Sequence, residues 1–212
     1  MRGANPVLGC RLFLWAAGVA ATAALLGCSL TPKHPPPPTF AATPDWRYVI
    51  GTGDSVSVMV WRNPELSMIV TVRPDGKVTT PLVEDLPASG RTPTQLAREI
   101  EKSLSKYVQS PVVTVIVAGG VGPYTEQIRV IGEAAKPQAL PYRENMSLLD
   151  VMIMVGGITD FAAGNRATIL RSAGGKKEQF GVRLQDLLRR GDLTANVAMR
   201  PGDVLIIPQS YF

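Results

Sequence analysis

The sequence is poor in the groups that carry chemistry. It has one histidine, His34, two cysteines, Cys10 and Cys28, and only 6% aromatic residues in 212. Catalysis needs acid, base or nucleophile groups held in position. Here the histidine sits in a proline tract, no ligands recur at metal-site spacing, and no glycine-rich loop runs into Lys-Ser or Lys-Thr. Glu84 and Asp85 are neighbours on a loop, and Glu99 and Glu101 face different sides of a helix, so neither pair suits glycoside hydrolysis. The expectation is a chain with no catalytic residue, no cofactor and no metal. Charged residues are also few, at 18%, and no Lys/Arg block interleaved with aromatics appears, which argues against a nucleic-acid partner. Long hydrophobic runs are missing too. The run Leu12 to Leu26 spans 15 residues, short of the roughly 20 that a helix needs to cross a bilayer.

What is present begins with that run. Residues 1–27 contain no acidic residue, carry Arg2 and Arg11 ahead of the apolar stretch, and end in small residues. This is the layout of an export signal. Leu25, Leu26, Gly27 and Cys28 resemble the lipobox of bacterial lipoproteins, in which the cysteine is acylated and becomes the first mature residue. Cys10 follows a Leu-Gly as well, but no apolar run precedes it. Because Cys10 lies in the segment to be removed, Cys28 has no disulfide partner in the mature chain. Cys28 is therefore the expected lipid attachment site, and several acyl chains hold a protein firmly. Ser29, in the sorting position, favours the periplasmic face of the outer membrane. Residues 28–45 are rich in proline and read as an extended spacer with a solvated His34. Without Arg2 and Arg11, 20 basic residues face 17 acidic ones, so the mature protein is only mildly basic.

From Trp46 onward, short alternating runs are broken by Gly, Pro and Asp. Tyr48 to Ile50 and Val56 to Val60 read as a strand pair around "GTGD", and "IVTVRPDGKVTTPL" (69–82) reads as a hairpin about Pro74-Asp75-Gly76. Thr92 to Gln95 is a capping box with proline at the first helical position, and Leu96, Ile100, Leu104 and Val108 form one stripe. A strand follows over Val112 to Val117, and residues 120–126 read as a linker. In the second unit, a strand lies at Gln127 to Glu133. Ser147 and Asp150 then cap a helix that ends at Gly156 and has almost no polar face. Such a helix is buried all round or faces another subunit. A hairpin over Ala167 to Leu184, a short helix at Leu184 to Arg190 and a strand within Arg200 to Pro208 complete the pattern. "GTGDSVSV" and "RPGDVLII" echo each other, and in each the aspartate, Asp54 or Asp203, closes a turn before a strand. The fold class expected is α+β.

"YVIGTGDSVSVMVWRNPELS", "VRPDGKVTTPLV" and "SPVVTVIV" together resemble the N-terminal domain of the bacterial polysaccharide export proteins, the Wza-like outer-membrane lipoproteins. Residues 128–171 resemble the soluble-ligand-binding β-grasp (SLBB) domain of the same family, and "MRPGDVLIIPQSYF" resembles the end of short members from exosortase-linked exopolysaccharide systems. The resemblance implies an export domain at 46–119 of antiparallel strands plus one amphipathic helix. It implies an SLBB β-grasp domain at 127–177, then a helix and closing strand at 178–212. It further implies a homo-oligomeric ring, octameric in some members, that conducts an exopolysaccharide chain supplied by an inner-membrane polysaccharide co-polymerase. Long members add a helix that spans the outer membrane. None follows Phe212 here, so a separate outer-membrane β-barrel protein is expected to complete the channel. The competing expectation is a glycan-binding or scaffold lipoprotein without a conduit, with Trp46, Tyr48, Trp61, Tyr107, Tyr124 and Tyr142 as candidates for sugar stacking.

Overall fold

The computed structural model describes residues 34–37 and 46–210, Gly174 excepted. The export signal, Cys28 and the rest of the proline-rich stretch lie outside the described residues. The fold is α+β, with two separate hydrophobic cores.

The N-terminal half is built on a three-stranded antiparallel sheet in the order β2–β1–β5, where β1 is Ser55–Val60, β2 Met68–Thr71 and β5 Val113–Gly119. Alternation places Val56, Val58 and Val60 on one face, which packs with Val70, Val113 and Val115. Helix α1, Pro93–Leu104, closes this core with Leu96, Ile100 and Leu104. Its capping box forms as the sequence indicates, with Thr92 accepting from the Gln95 N–H and Gln95 from the Thr92 N–H. Each such side chain taken out of water contributes about 1.5–3 kcal/mol. Two expectations are corrected here. Tyr48 to Ile50 forms no strand, because Ile50 instead exchanges backbone hydrogen bonds with the Gly90 and Arg91 turn. The turn at Pro74 to Gly76 is present, but its flanks join different sheets. β3, Lys77–Thr80, pairs with β4, Val83–Pro87.

The C-terminal half is one five-stranded sheet in the order β7–β6–β10–β8–β9. Its strands are β6 Ile128–Gly132, β7 Ala139–Leu140, β8 Ala167–Ala173, β9 Lys176–Val182 and β10 Val204–Ile207. β10 runs parallel to β6 and antiparallel to β8, so the last strand inserts into the middle of the sheet. The division expected at 177 has no counterpart, since β8 and β9 pair continuously across it and β10 bridges the two sides. Helix α2, Leu148–Val155, shares the core through Leu148, Val151, Met152 and Val155. Its two-way cap at Ser147 and Asp150 and its left-handed Gly156 end follow the sequence. The helix is not enclosed all round, for Ile153 is 69% exposed. Helix α3, Leu184–Arg190, stops at Gly191, also left-handed.

The spacer expectation also changes. His34 is half-buried, Pro37 is buried, and the Pro35 carbonyl accepts from the Gly181 N–H of β9, so this part of the tract is seated on the sheet edge.

Candidate functional site

Two constructions stand out, one holding the halves together and one left open. The first is centred on Asp54, which is fully buried in the turn before β1. One carboxylate oxygen accepts from the Gly51 N–H at 2.7 Å and from the Tyr48 hydroxyl, and the other accepts from the N–H groups of Val121 and Gly122 at 2.8 and 3.1 Å. A negative charge in a buried turn is thus offset by converging dipoles. Two donors precede β1 and two lie in the segment between the halves, so the carboxylate ties that segment to the β1 turn. Gly51 allows the approach, since a Cβ there would fall 2.3 Å from the Gly122 carbonyl carbon. Burial, followed by the bond to Asp54, pushes the Tyr48 hydroxyl well above its ordinary range and keeps it a donor.

Aromatics extend the joint. Trp46 meets Tyr48 and Tyr142 edge-on, with centroids 6.4 and 5.2 Å away, and its indole N–H donates to Glu126 at 3.3 Å. Burial raises the Glu126 carboxyl above its usual range, while the indole contact opposes that shift. Gln127 donates to the Gly122 carbonyl. Three of the six aromatics considered for sugar stacking, Trp46, Tyr48 and Tyr142, are therefore parts of this joint. Trp61, Tyr107 and Tyr124 are exposed.

The open construction is the outer face of the three-stranded sheet. On it, Ser57 stands between Ile69 of β2 and Ile116 of β5 in register, and Met59 stands opposite Thr114. Ile69 is 65% exposed and Trp61 69%, with Met59, Val112 and Ile116 about half exposed. Met59, Trp61, Arg62, Pro64, Val112 and Thr114 line an open cleft of about 420 Å³. A contiguous apolar patch of this kind marks a surface that meets another molecule. Tryptophan, methionine and arginine are the side chains enriched where proteins meet. The sequence carried a signal for it, because Met59, Ile69 and Ile116 fall in the solvent phase of strands whose other phase makes the core.

Glu84 and Asp85 lie exposed on β4, and Asp85 pairs with Arg73. Glu101 bonds the Val113 N–H and Arg98 bonds its carbonyl, so these helix charges cover the β5 edge. No group of three His, Cys, Asp or Glu able to hold a metal occurs among the described residues. No helix among them is long and apolar enough to cross a membrane. Cys28 lies outside the described residues.

The chain is thus an α+β protein of two domains joined in tandem. The family model described as "Polysaccharide biosynthesis/export protein" matches residues 42–118, and the model described as "SLBB domain" matches residues 126–207. The chain belongs to the polysaccharide export protein family with an SLBB domain. It is 27% identical over 192 residues to the EPS I polysaccharide export outer membrane protein EpsA of Ralstonia nicotianae, a match covering 79% of this chain and 48% of the relative. It is 28% identical over 177 residues to the exopolysaccharide production protein ExoF of Rhizobium meliloti, covering 76% of this chain and 40% of the relative. The chain spans about half the length of the curated relatives it matches.

Proposed function

We propose that this protein is a polysaccharide export protein of the cell envelope, anchored through acylated Cys28 to the periplasmic face of the outer membrane. It assembles there into a hollow ring that carries exopolysaccharide. The observation that carries the reading is the succession of both family domains in one chain, together with its similarity to relatives named for polysaccharide export. The open apolar sheet face around Met59, Ile69 and Ile116 supports assembly, because identical subunits that meet head to tail close into a ring around an axis. The work is translocation, and it asks for no covalent step. An inner-membrane polysaccharide co-polymerase and an outer-membrane β-barrel protein are the partners that such a conduit requires at its two ends.

Deleting the gene is expected to stop exopolysaccharide secretion, and single-particle images of detergent-extracted protein are expected to show a hollow ring. A second reading, a glycan-binding scaffold, draws support from exposed Trp61 beside Arg62 in the cleft. Monomeric protein in cells that are secreting polymer would decide for it.

A further inference from the structure

β9 is the outer strand of the five-stranded sheet, and an open strand edge invites pairing with other chains. One outward group on it is already taken. The Gly181 N–H donates to the Pro35 carbonyl at 3.0 Å. The carbonyl oxygen of His34 lies 3.2 Å from the point a Gly181 Cβ would occupy, so a side chain at that position would press on the segment. Pro37 is buried and His34 half-buried, while the rings of Pro35 and Pro36 stay exposed, so the segment is held at its two ends and through the Pro35 carbonyl. Pro35 and Pro36 have no N–H. The segment can therefore accept a bond from β9 but cannot pass strand pairing on to a further chain. A proline tract is already extended and stiff, so seating it costs little conformational freedom.

We propose that His34–Pro37 is a cap of the β9 edge, supplied by the same chain, and the fixed point from which the membrane tether leaves the folded protein. The tether half of this proposal rests on the anchoring through Cys28 put forward above. Five residues lie between Cys28 and His34, and an extended chain covers at most about 20 Å from one to the other. The reach of an acyl group on Cys28 is consequently measured from the β9 edge, which favours the C-terminal half as the part nearer the bilayer.

Hydrogen exchange on the full chain in detergent tests the cap. Strand alternation turns the Gln179 N–H to the same open side as that of Gly181. The Gly181 amide is expected to exchange about tenfold more slowly than that of Gln179. Replacing residues 34–37 by Gly-Ser-Gly-Ser is expected to remove the difference. Equal exchange in the unaltered protein overturns the cap. Gly181→Val provides a second route, because its side chain suits a strand yet meets His34. Trypsin is expected to cut after Lys33 several-fold faster in this variant while the Phe180 amide stays protected, and an unchanged cutting rate overturns the cap. For the tether, bimane on Lys177→Cys is compared with bimane on Lys106→Cys in phosphatidylglycerol vesicles bearing nitroxide lipids. Stronger quenching at position 177 is expected, and equal quenching overturns the exit point. Mass spectrometry of the same samples separates the two readings. An unacylated Cys28 would defeat the anchoring, and the exchange result would still decide the cap.

Discussion

Asp54 and Asp203 each close a Gly-Asp turn ahead of an apolar strand, and both are fully buried, yet their charges are balanced by different means. Among the described residues Asp54 has no cation partner, and it draws on three backbone N–H groups and the Tyr48 hydroxyl. Asp203 takes a two-pronged bond from Arg171, at 2.9 and 2.7 Å, plus the Arg200 N–H at 2.8 Å. Arg171 is itself 94% buried at its side chain, donates to the Ala198 carbonyl, and lies over the Phe180 ring. The same short motif thus serves two purposes. Backbone donors at Asp54 hold the start of the segment between the domains against the β1 turn. The arginine at Asp203 locks neighbouring strands of one sheet, since Leu170 and Val204 are register partners.

The sharpest way to break the comparison is to remove one partner of the ion pair. Arg171→Met leaves Asp203 buried and uncompensated, and a broken buried pair costs about 3–5 kcal/mol. The urea midpoint of the C-terminal half is expected to fall accordingly, with part of the loss recovered in the Arg171→Met, Asp203→Leu double variant. Asp54→Asn is milder, because the amide oxygen still accepts while its NH2 group faces N–H donors, and a cost of about 2 kcal/mol is expected. Its distinguishing outcome is cooperativity. With the junction untied, two unfolding transitions should replace one, and a single transition at an unchanged midpoint would sink the role assigned to Asp54.

Neither partnership was legible in the sequence, although both turns were. The Gly-Asp signal is local, whereas Arg171 lies 32 residues from Asp203 and Val121 lies 67 from Asp54. Helix ends were legible for the same reason in reverse. A capping box spans four residues, so Thr92 with Gln95 and Ser147 with Asp150 could be read directly, as could the glycine stop at Gly156. The β8–β9 hairpin is also local. What failed was pairing between distant segments: Ile50 with the Gly90 turn, β3 with β4 in place of β2, and β10 inserted beside β6. The seat of Pro35 on Gly181 belongs to this group, since alternation and composition say nothing about which edge a proline tract will find. The open sheet face was half legible, through apolar residues in the wrong phase of an otherwise regular alternation.

The two caps carry the contrast between halves to smaller energies. Thr92→Ala and Ser147→Ala are each expected to cost about 1 kcal/mol at neutral pH. Only the second box contains a carboxylate. The side-chain and backbone bonds from Ser147 hold the Asp150 carboxyl below its ordinary value of 3.8. A depressed carboxyl stabilises the fold when ionised, so its contribution is complete above that value and is lost as the pH falls through the folded protein's lower one. Urea midpoints at pH 7 and pH 3 should therefore converge for Ser147→Ala and the unaltered protein, while the Thr92→Ala gap stays constant.

The smallest effect at neutral pH isolates the balance of charge at Asp54. Tyr48→Phe removes one donor of four and is expected to cost less than about 1 kcal/mol at pH 7. Its consequence appears in alkali. Burial and the bond to Asp54 raise the Tyr48 hydroxyl above its ordinary value of 10.0, so the folded protein keeps a proton that the unfolded chain gives up. That contribution is whole below pH 10 and declines as the pH rises beyond it, because only the folded state goes on binding the proton. The Asp203 pair contains no hydroxyl of this kind. Raising the pH from 8 to 11 should therefore lower the midpoint of the unaltered protein more than that of Tyr48→Phe. Arg171→Met should keep the full alkaline decline. Equal declines in the unaltered and Tyr48→Phe proteins would mean that the hydroxyl is not held by the buried carboxylate, and the contrast between the two aspartates would lose its N-terminal half.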